Sequence, residues 1–229
     1  AVGNEGLDLC DAGGDILVNI ENIAGSTFND TITGSITANW IYGDAGNDTL
    51  AGGDGDDTLI GGAGADRLDG GDGFDLASYE TATSAVIASL DGTQTATGDA
   101  LGDTIIRVEG IYGSAYDDTL FGATTNDHLN GQTGNDVLIG NAGNDTLLGE
   151  AGTDYIRGGA GADFMDGGAG IDVVEYASSS VGVNVVLNGA ASGGDAQGDI
   201  MVNFEQLVGS TFNDTLTGDA GGNYIDGLA

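Results

Sequence analysis

The sequence predicts an all-β parallel solenoid wound in consecutive blocks, and three observations carry that expectation. A nine-residue word recurs in phase along much of the 229 residues, with Gly at position 1, Asp or Asn at position 6 and an apolar residue at position 8. Glycine reaches 45 residues without a three-residue period and proline is absent, which calls for frequent tight turns and excludes collagen. Each word also divides into a six-residue turn and a three-residue extended piece whose middle side chain points one way. Such a unit buries its apolar residue only by stacking on neighbours.

Nonapeptides begin at Gly25, Gly34, Gly43, Gly52, Gly61 and Gly70, which defines a first block at 25–78. Gly113, Gly122, Gly131, Gly140, Gly149, Gly158 and Gly167 open those of a second block at 113–175, and Gly209, Gly218 and Gly227 start a third at 209–229. Position 8 reads Ile32, Ile41, Leu50, Leu59, Leu68 and Ala77, then Leu120, Leu129, Leu138, Leu147, Ile156, Met165 and Val174, then Leu216 and Ile225. A disordered acidic tract has no reason to hold aliphatic side chains at one phase.

The remaining segments are spacers: 1–24, which reads as the end of one, then 79–112 and 176–208. Residues 16–34, 104–122 and 200–218 realign at offsets of 88 and 96, neither a multiple of nine, so the spacers are true insertions. Val181, Val183, Val185 and Leu187 alternate, as do Ile200, Val202 and Phe204, predicting a pair of half-buried strands. The chain opens inside a spacer and ends inside a nonapeptide, so it reads as a piece of a longer array.

Charge bounds the partners. Thirty-seven acidic residues against three arginines give a formal charge of −34, which excludes nucleic acid and anionic membrane as electrostatic partners. No apolar run approaches the ~18 residues of a membrane span, so no membrane insertion is expected. Cys10 is the single cysteine, so no disulfide forms within the chain.

The repeat's own charge then demands a counter-ion. Two nonapeptides per coil stack carboxylates 18 apart in sequence at a rung spacing of ~4.8 Å. Unit charges at that distance repel by roughly 3 kcal/mol at an effective dielectric of about 20. A divalent cation between stacked carboxylates converts the repulsion into ligation. Hard oxygen donors without His or Cys select calcium, and flexible carbonyl-rich loops suit its six to eight ligands. The candidate ligands are Asp30, Asn39, Asp48, Asp57, Asp66, Asp75, Asp118, Asp127, Asp136, Asp145, Asp154, Asp163, Asp172 and Asp214. The stacked pairs are Asp30/Asp48, Asp48/Asp66, Asp57/Asp75, Asp118/Asp136, Asp136/Asp154, Asp154/Asp172, Asp127/Asp145 and Asp145/Asp163. Asn39, a neutral amide beneath Asp57, predicts a weaker site. Each spacer repeats an acidic triplet, namely Asp11, Asp15 and Glu21; Asp99, Asp103 and Glu109; and Asp195, Asp199 and Glu205. These are either charged turns and strand ends or a second kind of calcium site.

The run GDAGNDTLA GGDGDDTLI GGAGADRLD GGDGFD from Gly43 resembles the RTX, or hemolysin-type calcium-binding, repeat family. The resemblance implies a right-handed parallel β-roll, with several calcium ions held between glycine-rich loops by Asp carboxylates and main-chain carbonyls. It further implies a secreted, extracellular bacterial protein, in places cell-surface associated, exported unfolded by a type I system. Departures fall at the block starts: GSTFNDTIT, GSITANWIY, GSAYDDTLF, GATTNDHLN and GSTFNDTLT lack Gly at position 4, so those turns are expected to be metal-poor.

Catalysis finds no footing. His128 stands alone at a strand position, no triad assembles around it, and Cys10 reads as a packed side chain. Gly158-Gly159-Ala160-Gly161 lacks the lysine of a phosphate loop, and no loop has the acid spacing of an EF-hand. Phe121, Val137, Ile139, Tyr155 and Val173 share one outward sheet face, to be covered by a spacer or by a lateral contact in an assembly. Two functions follow. One is a calcium-folded region of a surface or matrix protein, an adhesin or S-layer-like array, whose surface or carbohydrate ligand would be bound by other parts of the protein. The other is a calcium-binding appendage of a secreted protease, lipase or alginate epimerase. Ice binding is disfavoured, since regular outward Thr-x-Thr ranks are missing.

Overall fold

The computed structural model describes residues 7–8 and 20–228, with side chains described from residue 20 onward. Cys10, Asp11 and Asp15 therefore lie outside the described residues. Two compact units divide the chain, 1–112 and 113–229.

In the first unit, one stack of parallel strands runs Leu7–Asp8, Asn22–Ala24, Trp40–Ala45, Thr58–Ala63, Leu76–Ser78 and Gly110–Tyr112. The facing stack runs Thr31–Thr33, Thr49–Asp54, Arg67–Asp72 and Thr104–Ile106. The second unit repeats the plan. His128–Asn130, Thr146–Leu148, Phe164–Asp166 and Ile200–Val202 form one stack. Thr119–Phe121, Val137–Ala142, Tyr155–Ala160, Val173–Glu175, Gln206–Val208 and Tyr224–Asp226 form the other. Within the blocks the register step is 18 residues, as in Ile41 opposite Leu59 and Leu138 opposite Ile156, so two nonapeptides make one coil. This is an all-β parallel solenoid, consistent with a β-roll, whose only helical pieces among the described residues are two three-residue 3-10 turns.

The core is the column of position-8 side chains. Ile41, Leu50, Leu59, Leu68, Ala77, Leu120, Leu129, Leu138, Leu147, Ile156, Met165 and Val174 are completely buried, while flanking residues alternate outward. The outward Phe121, Val137, Ile139, Tyr155 and Val173 are half-buried on one sheet face.

The spacers add rungs as well as loops. Thr104–Ile106 pairs with Arg67–Asp69, and Gly110–Tyr112 with Leu76–Ser78, so Ile105 and Ile111 continue the position-8 columns. Ile200–Val202 and Gln206–Val208 do the same for Met201 and Leu207. The expected alternation of Ile200, Val202 and Phe204 is corrected here. Met201 faces the core and Ile200 is 54 % exposed, because the strand follows the solenoid's register. Val183, Val185 and Leu187 do point inward, whereas Val181 is exposed. Their strand, Asn184–Val186, pairs antiparallel with Ala191–Ser192 and parallel with Thr215–Thr217. No helix among the described residues is long and apolar enough to cross a membrane.

Candidate metal centre

The six-residue turns bring the position-6 carboxylates into ladders. Asp30 N–H donates to Asp48 Oδ1 at 2.7 Å, Asp48 to Asp66 and Asp57 to Asp75 at 2.8 Å, and Asn39 to Asp57 at 2.7 Å. In the second unit Asp118 donates to Asp136, Asp127 to Asp145, Asp136 to Asp154, Asp145 to Asp163 and Asp154 to Asp172, all at 2.8–2.9 Å. Every stacked pair read from the sequence is thus adjacent. The carboxylates do not simply face one another, because in each pair an amide of the neighbouring rung occupies one oxygen of the second carboxylate.

The second oxygen of these carboxylates is orphaned. Oδ2 of Asp48, Asp57, Asp66, Asp75, Asp136, Asp145, Asp154, Asp163 and Asp172 is buried without a hydrogen-bond partner. Burial is the main cause that pushes these carboxyls up, to about 7 for Asp136 and Asp145 and to about 6 for Asp75 and Asp172. The amide donor opposes the shift, and neighbouring acids such as Asp154 and Asp118 around Asp136 reinforce it. Desolvation outweighs the repulsion between stacked carboxylates.

Position-1 glycine explains what the orphan oxygen faces. A Cβ on Gly43 would meet Gly61 O at 2.5 Å as well as Asp48 Oδ2, and one on Gly140 would meet Gly158 O at 2.6 Å as well as Asp145 Oδ2. A carboxylate oxygen and a carbonyl oxygen of the next rung therefore converge on the space above the glycine. Glycine at position 1 thus answers to this close approach and not to the turn. Positive φ falls at positions 2 and 4 of the inner repeats, as in Asp44 at 79° and Gly46 at 140°, whereas position 1 needs room for the oxygens. Among the described residues no three His, Cys, Asp or Glu side chains cluster as a metal site, so carbonyls must supply most of any ligand set. The arrangement of hard oxygens fits calcium.

Block-opening turns are built differently. Asp30 Oδ2 accepts from Ser26 N–H at 2.6 Å, Asn39 Oδ1 from Ser35, Asp127 Oδ2 from Ala123 and Asp214 Oδ2 from Ser210, and Asp118 Oδ2 likewise accepts from Ser114 N–H. Here the oxygen left unpartnered elsewhere is capped by the residue four before it.

The spacer acids take ladder positions of their own. Asp66 N–H donates to Asp103 Oδ1 and Asp163 N–H to Asp199 Oδ1, at 2.8 and 2.9 Å. Asp75 N–H donates to Glu109 Oε2 and Asp172 N–H to Glu205 Oε2, at 2.9 and 3.0 Å. Asp99 and Asp195 sit in the two 3-10 turns, and Glu21 is an exposed residue just before its strand.

Three features escaped the sequence reading. Buried Tyr79 and Tyr176 donate their hydroxyls to Asp103 and Asp199 at 3.0 and 2.9 Å. A second ladder at position 5 runs the opposite way, from Asn47 N–H to Asn29 Oδ1, Asn135 to Asp117 and Asn144 to Asn126. Its signal was the recurrence of Asn and Asp just before the position-6 acid. All three arginines serve carboxylates, Arg67 and Arg107 flanking Asp69 and Arg157 pairing with Glu175.

Repeating oxygen cradles on a glycine-turn solenoid define a calcium-binding structural repeat. The chain belongs to the family described as the RTX calcium-binding nonapeptide repeat (4 copies), which matches residues 19–50, 42–77, 112–147, 139–174 and 204–229. No curated protein matches it. The repeats bind calcium, several of them are present, and the solenoid is a structural fold; proteins of this family are typically secreted by bacteria.

Proposed function

We propose that this chain folds on calcium outside the cell and stiffens a secreted surface or matrix protein of adhesin or S-layer type. The observation that carries the reading is the set of nine buried, unpartnered carboxylate oxygens, which an ion must satisfy for the neutral-pH coil to close. The ligands are the Oδ2 atoms of Asp48, Asp57, Asp66, Asp136, Asp145, Asp154 and Asp163, with the Gly61, Gly70, Gly158 and Gly167 carbonyls converging on those of Asp48, Asp57, Asp145 and Asp154. The capped Asp30, Asn39, Asp118, Asp127 and Asp214 contribute weakly or not at all. Bound calcium supplies positive charge and hard-oxygen coordination at points the polypeptide leaves unsatisfied.

The recurrence of roll plus spacer, with matching Tyr79–Asp103 and Tyr176–Asp199 bonds, favours a repeating array over an enzyme appendage. No catalytic role is assigned to the chain. In a low-calcium cytosol the chain stays open and suited to type I export, and it closes on reaching external calcium.

Far-UV circular dichroism in chelator and in millimolar calcium tests this. The expected result is a strand spectrum that appears only with calcium. A strand-rich spectrum that survives excess chelator at neutral pH overturns the reading.

A further inference from the structure

The first and second blocks end on nonapeptides that have no further glycine turn above them, at Gly70 and at Gly167. The carboxylates there, Asp75 and Asp172, are completely buried, and their Oδ2 atoms are as unpartnered as those inside the block. A cradle nevertheless exists above both glycines. A Cβ on Gly70 would collide with Arg107 O and, at 2.5 Å, with Asp75 Oδ2; one on Gly167 would collide with Asn203 O and, at 3.0 Å, with Asp172 Oδ2.

The carbonyls come from a shortened turn of the spacer. Only six residues separate the ladder acids Asp103 and Glu109, or Asp199 and Glu205, where the repeat takes nine. Arg107 and Asn203 lie in that turn in the left-handed region, at φ of 50° and 59°. Different side chains pin the same turn to the same repeat position: Arg107 Nε donates to Asp69 Oδ1 and Asn203 Nδ2 to Asp166 Oδ1, both at 2.8 Å. Glu109 and Glu205 close it by accepting the Asp75 and Asp172 amides. A longer acid in place of Asp spans the distance that the missing residues leave. Two units with different sequences therefore present one left-handed carbonyl to one orphaned carboxylate.

We propose that each spacer completes a further calcium site on the last nonapeptide of its block, formed by Asp75 Oδ2 with the Arg107 carbonyl and by Asp172 Oδ2 with the Asn203 carbonyl. The proposal rests on the calcium reading of the block and extends it to a non-repeat segment. The spacer thereby becomes part of the metal-dependent fold, and calcium ties it to the roll.

Calcium alone is the probe, with ions per chain counted by native mass spectrometry on the whole chain and folding checked by circular dichroism in saturating calcium. Asp75→Asn and Asp172→Asn are each expected to bind one ion fewer than the parent, as Asp57→Asn does inside the block. Arg107→Asn, which supplies the second unit's solution, keeps the full count. Arg107→Val, β-branched and averse to left-handed φ, loses one ion or weakens it at least tenfold. If Asp57→Asn loses an ion while Asp75→Asn and Asp172→Asn keep all of theirs, the spacer sites fall and the block reading stands. If none of the three loses an ion, the block reading itself falls. A full, tight count in a folded Arg107→Val chain also overturns the carbonyl's role.

Discussion

Truncating Leu147 to Ala couples the core to the metal in a measurable way. Leu147 is completely buried in the second unit, in register between Leu129 and Met165. Deleting a leucine side chain at such a site costs about 2–5 kcal/mol. Five orphaned oxygens share this unit, on Asp136, Asp145, Asp154, Asp163 and Asp172. If each takes up one ion on folding, the cost spreads over five binding events, with a tenfold change in calcium worth about 1.4 kcal/mol per event. The folding midpoint should then rise by roughly two- to fivefold in free calcium. Circular dichroism against buffered calcium reads this directly, with denaturant melts at saturating calcium giving the stability loss independently. A variant less stable in denaturant whose calcium midpoint is unmoved would refute the coupling, and a shift above about thirtyfold would mean that one ion, not five, governs folding.

Other outcomes follow from the same geometry. Gly140→Ala puts a methyl group where Asp145 Oδ2 and Gly158 O converge, and should remove one ion from the count by native mass spectrometry while leaving the backbone conformation allowed. Carboxyls raised by burial bind protons more tightly in the fold than in the unfolded chain, so without metal their contribution favours the coil below the ordinary Asp range and is lost as pH rises towards 7. In chelator, strand content at pH 5 should therefore exceed that at pH 8, and the reverse order would contradict the burial argument. Tyr176→Phe removes the hydroxyl bonded to Asp199 Oδ2; it should cost about 1–3 kcal/mol in thermal melts with calcium and leave the ion count unchanged.

The solenoid was legible because its rule is repeated. Leu50, Leu59 and Leu68 announce an inward column by phase alone, and the stacking of Asp48 on Asp66 follows once two words make a coil. The spacers broke that legibility at identifiable residues. Arg107 and Asn203 take a left-handed turn that shortens the step, so nine-residue counting loses phase before Ile111 and Leu207; ahead of that turn, the alternation of Ile200 with Val202 turns Ile200 inward, whereas Met201 holds the core position. The metal-poor character expected of the block-opening turns has a physical counterpart that composition only hinted at. Ser26, Ser35, Ser114 and Ser210 turn their amides onto the position-6 oxygen that elsewhere stays unpartnered. Glycine at position 1 was visible, but its purpose was not. Space for converging oxygens is a property of the rung above, which no single word contains.

Anomalous diffraction from crystals grown in calcium puts the central claim to its most direct test. Peaks are expected in the gaps between the Oδ2 atoms of Asp48, Asp57, Asp145 and Asp154 and the carbonyls above their position-1 glycines. A well-ordered solenoid holding only water in those gaps would contradict the account.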